Sequence, residues 1–323
     1  MTRLVGVIES SESSADLLGP TPDVRYVFVN PDTSPPAEIF DVEAIFIWNV
    51  RSGFLREHWA RFERLRWVHI ASDGAERVLT PEVAASDVVL TNSRHVFDQS
   101  LAEYALGLML SLAKGFSITF AHQTEHRWVP RDGETLSGKL LVMVGVGPIA
   151  RRIAQFAKAL GMVVRGVGRS PRAGDPDFGD ITDATQLNEL FAVADYVVMV
   201  LPSAPGTEGL VGSEAIAALR PAARLVNVGR AVTLDQEALC AALREGRIAG
   251  AALDVVSPEP LPADSPLWNI PNLIISPHMS GDHTESLQEI AALFQQNLAR
   301  WQQGEPLLNV VDKRLGYVPS ERP

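Results

Sequence analysis

Short, almost wholly apolar runs alternate with longer amphipathic stretches along most of the chain. LVGVI (4–8), VRYVFV (24–29), AIFIW (44–48), WVHIA (67–71) and VVLTN (88–92) have the length and β-branched content of strands. The polar or amphipathic stretches between them suit βαβ crossovers. A second series runs through LLVMV (140–144), VVRGV (163–167), YVVMVLP (196–202), RLVNV (224–228), IAGAALD (248–254) and LIISP (273–277). Such continuous apolarity fits parallel strands covered on both faces. Thr182 precedes a stretch with Leu187, Leu190, Phe191 and Ala194 on one helical face. Asp235 can cap a helix bearing Ala238, Leu239, Ala242 and Leu243, which Gly246 stops. No repeat of solenoid spacing appears. The pattern predicts an α/β protein with two parallel-sheet domains.

Their connection is read from three further segments. Residues 98–114 form an apolar helix with Leu101, Ala105, Leu108, Met109 and Leu112, followed by a polar loop region over 122–138. An amphipathic helix over 283–303 follows the last strand, and nothing after it has comparable strand character. A helix in that place can fold back on the first unit. The expected division is therefore 1–97 plus 286–323 for one domain and an inserted 98–285 for the other. A chain of 323 residues suits two domains at about 150 residues each.

Composition narrows the partners. With 28 Lys and Arg against 39 Asp and Glu the formal charge is −11, which argues against nucleic acid or an anionic membrane as the main partner. The apolar run at 4–8 is too short for an export signal and ends at Glu9, and no stretch approaches the ~18 apolar residues of a membrane helix. The single cysteine, Cys240, reads as a small buried side chain in a reduced, cytoplasmic setting. His58, His69, His95, His122, His126 and His283 lack the paired spacing of a metal site, so no metal is expected.

The strongest motif follows the strand at 140–144. Gly145-Val146-Gly147-Pro148-Ile149-Ala150 is a G-x-G-x-x-A turn opening a helix whose inward stripe is Ile149, Ile153, Phe156, Ala157 and Leu160, ended by Gly161. Gly145 permits the tight turn, Gly147 lets backbone approach a pyrophosphate, and Ala150 allows close packing of helix on strand. The helix N-terminus offers free N–H groups to the phosphates. At the end of the next strand an NAD site would usually carry Asp or Glu. Gly168-Arg169-Ser170-Pro171-Arg172 stands there instead, and two guanidiniums with a hydroxyl suit a 2′-phosphate. NADP(H) is expected over NAD(H).

Three more segments fall at C-terminal strand ends, where ligands bind in such sheets. NVGR (227–230), ALDVVSPEPLP (252–262) and ISPHMSG (275–281) bring in Arg230, Asp254, Glu259 and His278. This set suits reduction of a carbonyl beside a carboxylate. A planar guanidinium pins the carboxylate, an imidazolium protonates the carbonyl oxygen, and a neighbouring carboxylate orients the imidazole.

At these residues the chain resembles the D-isomer-specific 2-hydroxyacid dehydrogenases, from about residue 40 to 311. The resemblance is carried by GVGPIARRIAQFAKALGM, LPSAPGTEGLV, and the block from Asn227 through LDVVSPEPLPADSPLWNIPNLIISPHMSG. It implies a flavodoxin-like substrate domain and a Rossmann-like dinucleotide domain lining a cleft, with Arg230, Glu259 and His278 as the catalytic trio. It also implies that Asp254 faces the nicotinamide carboxamide and that the Ser72-Asp73-Gly74 loop offers N–H groups to the substrate. Leu201, Pro202 and Thr207 would line the adenosine side, Val228 and Gly229 the nicotinamide ribose side, and Ser280 and Gly281 follow the histidine. GRSPR resembles the NADPH-preferring glyoxylate/hydroxypyruvate reductase branch. Trp48 is similar to an aromatic that borders the substrate pocket in that branch, and a strand-end core role suits it equally. The sequence departs from the family pattern at Ala231, at Leu234-Asp235-Gln236 and at Lys114, none of which removes a catalytic group.

The resemblance implies a cytoplasmic, homodimeric oxidoreductase, with the helix over 98–114 serving as core or as dimer interface. It would transfer hydride from NADPH to a small 2-keto acid and give a D-2-hydroxy acid. The alternatives are an NAD-preferring dehydrogenase of another small acid and a nucleotide-sensing, corepressor-like binding protein.

Overall fold

The computed structural model describes residues 3–8 and 13–319. The polar stop at residues 9–12 lies outside them. The chain divides into two compact units, Met1–Val96 with His283–Pro323, and Phe97–Asp282.

The elements of the first stretch are β1 (Arg3–Ile8), α1 (Ser13–Leu18), β2 (Val24–Val29), β3 (Ala44–Ile47), α2 (Phe54–His58), β4 (Trp67–Ile70), α3 (Pro81–Ala85) and β5 (Val89–Asn92). The middle stretch holds α4 (Asp98–Lys114), α5 (Phe116–Thr124), β6 (Leu140–Val144), α6 (Pro148–Ala159), β7 (Val163–Val167), β8 (Arg172–Asp175), β9 (Gly179–Thr182), α7 (Leu187–Val193) and β10 (Tyr196–Met199). It continues with α8 (Ser213–Ala218), β11 (Arg224–Asn227), α9 (Gln236–Arg244), β12 (Gly250–Leu253) and β13 (Leu273–Ile275). α10 (Ser286–Gln303) returns to the first unit.

In the first unit the sheet order is β2-β1-β3-β4-β5, every pair parallel. Alternation along β3 and β4 sorts their side chains by face. Ile45, Ile47, Val68 and Ile70 join an aliphatic core, whereas Phe46, Trp67 and His69 meet an aromatic one. There Phe294 of α10 stacks on Phe46 at 4.3 Å between ring centres.

His69 is fully buried in this aromatic layer, and a chain of hydrogen bonds accounts for both ring nitrogens. The Trp67 indole donates to Thr91 Oγ1 (2.8 Å), whose hydroxyl donates to His69 Nδ1 (2.8 Å). Nε2 then donates to Ser93 Oγ (3.4 Å), which donates to the Ile70 carbonyl (3.0 Å). Burial pushes His69 down to about 3, which keeps the imidazole neutral.

The second unit is an eight-stranded sheet of order β13-β12-β11-β10-β6-β7-β9-β8, parallel except for the β8–β9 pair. That hairpin is absent from the hydrophobic pattern, because RAGDPDFGDIT buries only Phe178 and Ile181 as large apolar groups. Ion pairs hold it instead. Thr182 consequently ends β9, and Asp183 is the cap that accepts from Thr185 N. Helix α6 buries Ala150, Ile153, Ala154 and Ala157. Leu160 is 39% exposed, because the chain has already left the helix after Ala159.

Helix α4 is core. Ala105, Leu108 and Met109 are buried, and Leu101 and Leu112 pack against the same cluster. The expected loop over 122–138 begins with the last turn of α5, which restarts after Gly115 takes a left-handed φ of 64°. None of the residues of α5 is buried. Among the described residues no single helix is long and apolar enough to cross a membrane.

Charges gather at the N-terminal end of this sheet. Glu134 accepts from Tyr196 Oη (2.9 Å), Lys139 Nζ (2.7 Å) and the Arg224 guanidinium. Asp195 accepts from Leu140 N (2.8 Å) and Arg220 (3.0 Å). Burial pushes Glu134 up, but the Lys139 and Tyr196 hydrogen bonds and the Arg224 charge outweigh it and hold the carboxyl low. Burial, supported by the Glu134 hydrogen bond against the pull of Arg224, raises the Tyr196 phenol.

Candidate active site

The opposite, C-terminal end of the same sheet gathers the sequence-predicted groups of the second unit. Three strand ends meet closely there. Gly145 has φ 105°, and a Cβ on it would lie 2.6 Å from the Val200 carbonyl oxygen. A Cβ on Gly229 would lie 2.6 Å from Leu201 N. Both glycines are therefore required by close approach of backbone to backbone.

Gly147 differs, because nothing lies within 4 Å of the place its Cβ would take. It caps α6 without a side-chain hydrogen bond, and Pro148 occupies the first turn. The N–H groups of Ile149 and Ala150 then have no acceptor within the helix. This bare helix start fits the pyrophosphate of a dinucleotide. Leu201 and Pro202 leave β10 beside it. Thr207 closes that loop, its hydroxyl accepting from Ala204 N (3.0 Å) and donating to the Pro202 carbonyl (2.7 Å).

After β7, Gly168 N donates to the Thr182 carbonyl (2.8 Å), which sets Arg169 and Ser170 at the strand end. Arg172 opens β8 and is not a loop residue. Its Nη2 and Nε reach Asp175 Oδ2 at 2.8 and 3.2 Å. Arg151 of α6 binds the same carboxylate with both terminal nitrogens at 2.9 Å and reaches Asp177 at 2.8 Å. The Arg151 hydrogen bonds, then those from Asp177 N and Arg172, hold Asp175 well below the usual carboxylate range against its burial. The positive charge of Arg172 is thus already partnered within the protein.

Arg230, Glu259 and His278 follow three neighbouring strands, β11, β12 and β13. Arg230 is half-buried, and its backbone is held from two sides. Thr233 Oγ1 donates to the Arg230 carbonyl (2.7 Å), and Asn227 Nδ2 does so at 3.3 Å while Asn227 Oδ1 accepts from Gly229 N (3.0 Å). Neither Asn227 nor Thr233 stood out in the sequence. Both are fully buried polar residues, and only the fold reveals that. Val228 is buried between these groups, its N–H bound to Met199 O at 3.1 Å.

His278 has φ 54°, a left-handed conformation uncommon for a side chain of this size. Asp254 supports it. The Asp254 carbonyl accepts from His278 N (2.8 Å). Its carboxylate accepts from Ser276 Oγ (2.6 Å), Met279 N (3.1 Å) and Ser280 N (3.0 Å). Asp254 is fully buried, so these bonds compensate its desolvation and shape the turn that presents the imidazole. Gly281 completes the turn against Phe97, whose ring would lie 3.3 Å from an added Cβ. His278 Nδ1 meets Glu259 Oε2 at 2.9 Å, and Glu259 Oε1 accepts from Val256 N (3.2 Å). With the His278 side chain 38% exposed, the pair can exchange protons with a bound molecule.

In the first unit, β3 and β4 end side by side. Trp48 packs edge-on against Phe46 at 5.0 Å and is half-buried, so it is partly core and partly available. Ser72 Oγ donates to the Gly74 carbonyl (2.7 Å), and the Ser72 carbonyl accepts from Ser93 N (3.0 Å). Asn92 Nδ2 donates to both the carbonyl and the carboxylate of Asp73. The loop is rigid.

Residues 106–280 match the family model described as D-isomer specific 2-hydroxyacid dehydrogenase, NAD binding domain. The chain is 33% identical over 262 residues to an (S)-sulfolactate dehydrogenase of Chromohalobacter salexigens, covering 80% of this chain and 84% of that one. A crystal structure of a D-isomer specific 2-hydroxyacid dehydrogenase from Xanthobacter autotrophicus Py2, in complex with NADPH and MES, superposes with a TM-score of 0.81 at 29% identity. It covers 98% of this chain and 100% of that one. An NADPH-dependent glyoxylate/hydroxypyruvate reductase of Sinorhizobium meliloti, in complex with NADP and malonate, gives 0.82 at 25% identity over 100% of both chains. The chain belongs to the D-isomer specific 2-hydroxyacid dehydrogenase family.

Proposed function

We propose that this dehydrogenase reduces a small 2-keto acid of the glyoxylate or hydroxypyruvate class with NADPH and yields a D-2-hydroxy acid. The observation that supports it most is the His278–Glu259 pair, 2.9 Å apart at the strand ends of the unit that carries the open G-x-G-x-x-A turn. NADPH, when bound, supplies the hydride. Gly145, Gly147, Pro148 and Ile149 would hold its pyrophosphate, Leu201, Pro202 and Thr207 the adenosine side, and Val228, Gly229, Asp254, Ser280 and Gly281 the nicotinamide side. Arg230 pins the substrate carboxylate through its planar fork. His278 donates the proton to the carbonyl oxygen through Nε2, since Nδ1 is engaged by Glu259, which orients the ring. From the first unit we assign Trp48 and the Ser72-Asp73-Gly74 loop to the substrate.

For the 2′-phosphate we assign Arg169, Ser170 and Arg172. The engagement of Arg172 by Asp175 favours a second reading, in which Arg169 carries most of the discrimination and NADH is also used. We further assign a homodimer to the surface formed by α5 and the segment after it, where Phe120 is 62% and Trp128 96% exposed. A cytoplasmic setting is supported by Cys240, buried and free of a disulfide. The test is a panel of 2-keto acids with NADPH and with NADH, followed by chiral analysis of the product. Absence of turnover with every 2-keto acid, or an L product, would overturn the reading.

A further inference from the structure

The segment carrying Glu259 is poorly suited to hold itself in place. Ser257-Pro258-Glu259-Pro260-Leu261-Pro262 has three prolines, which donate no backbone hydrogen bond. Among the described residues, the backbone of 257–261 makes hydrogen bonds with one side chain only, that of Gln236. Gln236 Nε2 donates to the Ser257 carbonyl (2.9 Å), and Gln236 Oε1 accepts from Ser257 N (2.9 Å). The pair imitates one rung of a β-ladder, and it requires a donor and an acceptor on the same planar group.

Gln236 is itself fixed. It is the first residue of α9, and its neighbour Asp235 caps that helix by accepting from Ala238 N (2.9 Å). Asp235 N donates to the Val211 carbonyl (2.9 Å), tying the helix start into the unit. Two residues beyond Ser257, Glu259 reaches His278 Nδ1, while Asp254 sets the His278 turn from beneath. The imidazole thus rests on buried groups, whereas the exposed backbone around Glu259 is held by one amide and the carboxylate itself accepts from Val256 N (3.2 Å).

We propose that Gln236 is a positioning residue for the acid–base pair, holding Ser257 so that the Glu259 carboxylate stays on His278. This rests on the assignment of His278 as proton donor made above. It touches neither substrate nor cofactor, so its effect must appear through the histidine.

The test compares Gln236→Glu, Gln236→Met and Glu259→Gln in the steady-state reduction of glyoxylate with NADPH, measured across pH. Gln236→Glu keeps the shape but sets a second acceptor against the Ser257 carbonyl, and Gln236→Met keeps the bulk without hydrogen bonds. Both are expected to lower kcat/KM about 3- to 10-fold at neutral pH, leave the KM for NADPH within about 2-fold, and move the alkaline fall of the rate to lower pH by about half a unit. The direction follows from a weaker hold on the imidazolium. In a Glu259→Gln background the Gln236 variants should add nothing further. An unmoved pH profile in both Gln236 variants, while Glu259→Gln shifts it, overturns the inference alone. Full additivity on Glu259→Gln does the same. Full activity in His278→Ala overturns the underlying assignment and this inference with it.

Discussion

The two ends of the eight-stranded sheet use charge in opposite ways. At the N-terminal end Glu134 and Asp195 are surrounded by Lys139, Arg224, Arg220 and the Tyr196 hydroxyl, so these acids are matched inside the protein. At the C-terminal end Arg230 is half-buried, His278 is partly exposed beside one carboxylate, and the start of α6 is bare. One end spends its charges on folding. The other holds its charged groups beside backbone rather than in a closed ion cluster, with Arg230 Nη1 on the Gly229 carbonyl (2.9 Å) and His278 on a single carboxylate.

This contrast can be broken by exchanging what each end loses. His278→Ala should lower kcat/KM by about 10²- to 10⁴-fold in steady-state assays and leave the melting temperature nearly unchanged. A large loss of stability with retained turnover would reverse the assignment of the two ends. Glu134→Ala should do the converse. It strips three donors of their shared acceptor and should cost about 2–3 kcal/mol in urea unfolding, with kcat/KM within about 2-fold of the parent.

Arg169→Asp sharpens the comparison within the functional end. It should lower the preference for NADPH over NADH by about 10- to 100-fold in competing steady-state assays, because a carboxylate repels the 2′-phosphate and accepts from a ribose hydroxyl. Unchanged preference would move the discrimination to Arg172 and Asp175.

The last effect concerns the first unit, where His69 is a charge-free counterpart to both ends. The unfolded chain takes up a proton on this residue below about 6.5, whereas folded His69 stays neutral down to about 3. Stability therefore falls as pH drops through that window, by about 1.4 kcal/mol per unit at most. His69→Asn should flatten that slope in urea unfolding between pH 6 and 4.

Much of the architecture could be read from the pattern of residues. The strands around LVGVI, AIFIW, LLVMV and YVVMVLP lie where apolar continuity puts them, and Asp235 caps α9. Where elements were misread, the reason is physical. The β8–β9 hairpin is held by Arg151 and Arg172 on Asp175, and ion pairs leave no hydrophobic period. Helix α5 lacks a buried face, so periodicity gave no reason to begin the loop after residue 124 instead of at 122. The apolar stripe of α4 is core, and the unaccounted apolar surface lies on α5.

By itself the sequence determined the α/β class and the G-x-G-x-x-A turn, and it singled out Arg230, Glu259 and His278 as candidates for carbonyl chemistry. These depend on local period and residue type, which a linear string carries. The tertiary structure alone decided what each group touches. It set Asp254 under the histidine turn, gave Arg172 a carboxylate, neutralised His69, and brought Gln236 to Ser257, 21 residues further along the chain. Contacts of that range exist only once strands lie in register and helix starts meet loops from other strands. Their partners cannot be named from spacing, because the fold sets those distances.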